Sequence, residues 1–161
     1  MEMPGSRAAI AFAALSPVAL GVIVAARSAE VSPVFAVPAI VFGVIAATGP
    51  ALYIASAATG EAPSLAVMAR AFAVALGAFG IALAGFVLPA AFVSLSSVQA
   101  WATPAVCTAA IAAAAVLAIR RLAAELAPKT LMARAVYAVW AVATLGIGFR
   151  LWWDVAREVL S

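Results

Sequence analysis

The stretch Ser64–Ser94, SLAVMARAFAVALGAFGIALAGFVLPAAFVS, decides the fold. It holds one charge, Arg70, and one proline, Pro89. Its apolar residues fall on every side of a helix instead of forming one stripe, the pattern of a helix surrounded by lipid. At ~1.5 Å per residue it exceeds the ~30 Å thickness of a hydrocarbon core. It must tilt, kink at Pro89 or project beyond the bilayer.

Four similar runs flank it. The first, residues 8–26, lies between Arg7 and Arg27 and contains Pro17. Val24-Ala25-Ala26 resembles a cleavage site, but the run is about 19 residues against ~7–15 for a signal core, so it is read as a retained span. The second, residues 34–58, follows Ser32-Pro33, read as an N-cap and a first-turn proline. Pro38 and Gly49-Pro50 lie further in. Proline removes a backbone hydrogen bond and crowds the preceding turn, so a kink is expected near Gly49-Pro50. The fourth span, residues 104–126, repeats the cap-then-proline signal at Thr103-Pro104, carries Arg121 and Glu125 at pairing distance, and stops at Pro128. The fifth, residues 131–153, runs into a polar helical tail at 154–161. The fold class is all-α: a polytopic membrane protein, one transmembrane domain over 1–161, a bundle of about five helices. Short connectors make sequential helices the expected antiparallel neighbours.

Composition agrees. The chain is 68% hydrophobic and 9% charged, against about 25% charged residues in a soluble domain. A water-soluble fold could not cover itself with so few charges. The net charge of +3 sits at the ends of apolar runs and not in a basic patch interleaved with aromatics, so no nucleic-acid partner is expected. There is no histidine, which removes the commonest general base, metal ligand and haem ligand. Cys107, the one cysteine, reads as a small apolar packing residue. No nucleophile–base pair, intramembrane carboxylate or glycine-rich phosphate loop is present. The expectation is no catalytic residue, no cofactor, no metal and no enzyme.

Basic residues favour the cytoplasmic side. Arg7, Arg70, Arg120, Arg121, Lys129 and Arg134 share one side of a five-span chain, and Arg27, Arg150 and Arg157 the other. The N-terminus is expected inside and the C-terminus outside, in a bacterial cytoplasmic membrane. Trp101, Trp152 and Trp153 then fall at the outer interface, Tyr53 and Tyr137 at the inner one.

The residues most able to touch a partner or lipid are few. Arg70 reads as a side chain snorkelling to the inner interface, or as the mate of Glu61, a lipid phosphate or a partner's acid. Glu61 reads as a solvated connector residue. Arg120 and Arg121, with Lys129 and Arg134, read as an orientation signal with some pull on anionic lipid. Arg150, Asp154, Arg157 and Glu158 share one face of the last helix, read as an interfacial helix end, with Arg150–Asp154 pairing, or as a docking face. Ala69-Ala73-Gly77, Gly80-Ala84 and Ala105-Ala109-Ala113 have the four-residue spacing that lets helices approach closely in lipid. Gly49, Pro50 and Pro89 are candidate helix breaks of the kind transporters use.

Gly49-Pro50-Ala51-Leu52-Tyr53 running into Gly60-Glu61-Ala62-Pro63-Ser64-Leu65, with a long third helix ending near Leu88-Pro89-Ala90, resembles the small five-span Yip1-like bacterial membrane proteins. That resemblance implies a non-enzymatic membrane organiser. No functional residue is carried across, because the acidic-aromatic signature of that group is not evident. The expected function is an accessory or scaffold subunit acting by helix contacts with other membrane protein chains or as a homo-oligomer. The alternative is a transporter or channel component for a small neutral or apolar solute. Lipid handling is a third reading.

Overall fold

A computed structural model describes residues 5–160, with side chains over 8–157. Arg7 and Glu158 therefore have side chains outside the described set. Among the described residues the chain forms five helices: α1 Gly5–Ser28, α2 Ser32–Ala58, α3 Leu65–Ser96, α4 Ala102–Leu126 and α5 Leu131–Leu160. All five are long and apolar enough to cross a membrane. The protein is an all-α integral membrane bundle.

The connectors gather at two ends. At the first, the α2–α3 connector meets the α4–α5 connector through Glu61. At the second, Arg27 reaches the carbonyl of Val98 at 3.5 Å, joining the α1–α2 and α3–α4 connectors. Successive helices thus run up and down.

Sequence order is not spatial order. α1 lies against both α2 and α3, α3 against α4, and α2 against α5; α4 touches α5 lightly. α2 and α3 are not backbone neighbours, contrary to the expectation for sequential helices, and meet only through side chains such as Phe72 beside Gly49. The reason is the glycine contact made by α1. A Cβ on Gly80 of α3 would lie 2.3 Å from the backbone nitrogen of Ala13, and one on Gly21 of α1 would lie 2.5 Å from the carbonyl oxygen of Pro33. Ser16 also donates to the carbonyl of Gly80 at 2.9 Å. Only residues without side chains allow such approach, so α1 wedges between α2 and α3.

Three sequence readings are corrected here. Ser32 and Thr103 are not N-caps: those positions fall to Val31 and Trp101, neither with a side-chain cap bond. Ser32 turns to Glu30 at 3.3 Å, and Thr103 is buried and donates to Ser94 across the α3–α4 contact at 3.1 Å. The stripe on α4 has the wrong phase: Ala105 and Ala109 are exposed, whereas Thr103, Cys107, Ala110 and Ala114 are buried. On α3, Ala69 and Ala73 face outward while Gly77 and Gly80 are buried. Finally, α2 runs as helix through Gly49-Pro50 and α3 through Pro89, so neither proline breaks its helix.

Candidate functional site: an apolar slot between α2, α3, α4 and α5

Because α1 keeps the backbones of α2 and α3 apart and α5 leans on α2, a space open on one side is left between α2, α3, α4 and α5. Its volume is about 340 Å³. Val37, Ile40, Val41 and Val44 of α2 form one wall, Phe72, Ala75, Leu76 and Phe79 of α3 the next. Ile111, Ala115, Ile119 and Leu122 of α4 and Thr144, Leu145, Gly148 and Phe149 of α5 complete it.

Two tryptophans of α5 mark its ends, and each is tied to another helix. Trp140 donates its indole N–H to the carbonyl of Thr48 on α2 at 2.8 Å. Trp152 donates to the hydroxyl of Thr108 on α4 at 2.7 Å, and that hydroxyl donates to the carbonyl of Pro104 at 2.6 Å. Trp152 is 3% exposed, so it packs into the bundle and not outward beside Trp153. An indole N–H needs a partner wherever it is buried, and Thr108 provides one. Trp101 and Trp153 are exposed at the second end, Trp153 stacked on Phe149. Near the first end Tyr137 donates to the carbonyl of Ile119.

The chemistry of the slot is that of hydrocarbon. A water needs two to four polar partners, and the polar atoms of the wall are already committed. The exception is the Thr144 hydroxyl oxygen, buried without a hydrogen-bond partner. Val116, Leu145 and Phe149 of the wall are exposed, so the slot opens sideways out of the bundle, and its apolar lining suits an apolar occupant.

The charged residues singled out in the sequence lie away from it. Glu61 is not simply solvated, and it does not pair with Arg70. Its carboxylate accepts the backbone N–H groups of Lys129 and Thr130, each at 2.9 Å. Those are the donors just before α5, where the helix dipole favours an anion. Thr130 adds an N-cap bond from Ala133 at 3.2 Å. Backbone donation from Lys129, then the Thr130 side chain, holds the Glu61 carboxyl below its usual range. Arg70 is exposed on α3. Arg120 is exposed, and Arg121 pairs with Glu125 at 3.1 Å. At the other end Asp154 pairs with Arg150 at 2.6 Å and also with Arg157.

Sequence reasoning missed the slot and both tryptophan ties. The four-residue spacing Trp140–Thr144–Gly148–Trp152 was the available signal, since it puts two large ends and two small middles on one helix face. No protein-family model, curated protein or solved structure matches the chain.

Proposed function

We propose that the chain is a non-enzymatic integral membrane protein that takes an apolar molecule out of the bilayer and houses it between α2, α3, α4 and α5. The observation that carries this reading is the slot itself: about 340 Å³ with apolar walls, inside a bundle already surrounded by hydrocarbon. Apolar ligand sites fall in this size range, ~300–1,000 Å³. The solute-transport alternative narrows accordingly to apolar cargo, because the helix breaks on which it rested are continuous helix.

Photolabelling tests the reading. A long-chain alkyl diazirine added to purified protein should insert into wall residues such as Ile111 and Phe79 in preference to exposed lipid-facing residues such as Ile54 and Phe92. Labelling spread over the outer surface alone would count against it.

An accessory role through partner helices is a second reading, favoured by one observation. Ala69 and Ala73 of α3 and Ala105 and Ala109 of α4 face outward, where small residues would let another helix come close. Either role suits a bacterial cytoplasmic membrane with the N-terminus inside. The six-to-three partition of basic residues supports that orientation.

A further inference from the structure

Resting on the uptake reading above, we infer that the slot exchanges its contents only with the middle of the bilayer, through a window between α4 and α5, and that neither end of the slot opens to water.

The packing order makes the window. Round the bundle the helices follow one another as α4, α3, α1, α2 and α5, each packed against the next. α4 and α5 are the two tips of that arc and touch only lightly. α1 covers the gap between α2 and α3 from behind. The exposed residues of the wall accordingly belong to the tips: Ala112 and Val116 of α4, Leu145 and Phe149 of α5. Every wall residue from α2 and α3 is buried or half-buried.

Two hydrogen bonds across the seam frame the opening. Tyr137 donates to the carbonyl of Ile119 on the side of the first end, and Trp152 donates to the Thr108 hydroxyl on the side of the second. The four exposed wall residues fall between these crossbars on both helices. Depth follows from the spans. Ala112 and Val116 bracket the middle of Ala102–Leu126, and Leu145 adjoins the middle of Leu131–Arg157. Half of a ~30 Å hydrocarbon core, ~15 Å, therefore separates the window from either water surface.

The ends are shut by apolar side chains. Towards the first end the wall finishes at Leu122 and Trp140, which share a buried cluster with Leu52 and Met68. Towards the second it finishes at Val37 and Trp152, which share another with Leu20 and Val24. Entry through an end would part close-packed side chains from several helices. Water entering there would find no polar partners. Entry through the window passes from hydrocarbon into an apolar wall, and Val116 on its rim sets the width.

The test follows Trp140 and Trp152 in a chain carrying Trp101→Phe and Trp153→Phe, which removes the exposed tryptophans. The protein, in phosphatidylcholine vesicles, is mixed rapidly with vesicles carrying bromododecane, an apolar quencher, or with iodide on both faces, a quencher confined to water. Tryptophan octyl ester in protein-free vesicles times the arrival of bromododecane in the bilayer. Quenching in the slot should lag behind that arrival and reach a saturable limit, and iodide should not quench. Val116→Phe should slow the approach to the limit several-fold and Val116→Ala should speed it, with helical circular dichroism retained. The same changes at Val142, exposed on α5 but outside the wall, should leave the rate as it was. Saturable quenching at a rate unchanged in both folded Val116 variants overturns the window while uptake itself survives. Quenching by iodide overturns the closed ends. Bromododecane quenching that never saturates overturns the uptake reading, and this inference with it.

Discussion

The Trp152 indole of α5 donates to the Thr108 hydroxyl of α4 at 2.7 Å, bridging the seam where these two helices otherwise hardly touch. Trp152→Phe keeps most of the ring and removes the donor. Thr108 still donates to Pro104, so the loss should be one net hydrogen bond, ~0.5–1.5 kcal/mol in reversible unfolding from mixed micelles. Adding Thr108→Val to Trp152→Phe should cost less than the two single losses summed. Full additivity would show that the bond is not formed.

Glu61 should make stability depend on pH. Its folded carboxyl titrates below the ordinary 4.5, so over that interval the unfolded chain binds the extra proton and stability rises with pH. The contribution is complete above about pH 4.5 and disappears as pH falls through the depressed folded value. The melting midpoint should drop on acidification, and Glu61→Gln should remove part of that drop. Identical pH curves for the two proteins would contradict the cap on α5.

Gly80 should tolerate nothing larger. The added methyl of Gly80→Ala would meet backbone atoms of Ala13 at 2.3 and 2.4 Å, which cannot rotate away. Overpacking of this kind costs ~1–3 kcal/mol. Gly146, where a Cβ meets nothing, is the matched control: Gly146→Ala should gain up to about 1 kcal/mol from helix propensity. Equal effects at the two positions would argue against the α1–α3 contact.

Thr144→Val should be neutral or stabilising. The hydroxyl oxygen is buried without a partner, and an unmade buried hydrogen bond costs ~1–3 kcal/mol. Valine has nearly the same shape and removes the oxygen. A clear destabilisation would mean that the hydroxyl has a partner, such as the carbonyl one turn earlier.

Orientation can be read with single cysteines in a Cys107→Ala background. A cysteine after Ser161 should react with an impermeant thiol reagent from outside the cell, and one in the Lys129 connector only after the membrane is opened. Labelling of both from the same side would contradict five crossings.

Span limits were legible to within a few residues, because long apolar runs punctuated by Ser-Pro, Thr-Pro and Ala-Pro leave little freedom. Phase around each helix was not. In a chain this rich in alanine, Ala69-Ala73 and Ala71-Ala75 have the same spacing, and only the second pair is buried. Neighbour order was hidden too, since it hangs on Gly21 and Gly80 meeting backbone from other helices. The slot follows from that order, so it could not be read directly. Glu61 looked like a loop residue because its partners, backbone N–H groups 68 and 69 positions away, leave no mark in side-chain identity. The inward facing of Trp152 was hidden because the rule for interfacial aromatics ignores a buried acceptor such as Thr108.

Native mass spectrometry of the protein released from mild detergent tests the filled slot most directly. The wild-type chain should carry one tightly held apolar adduct that survives delipidating washes, and Gly148→Leu, equally helical, should fly without it. A wild-type spectrum with no adduct, or the same adduct retained in the Gly148→Leu protein, would contradict an apolar molecule seated between Trp140 and Trp152.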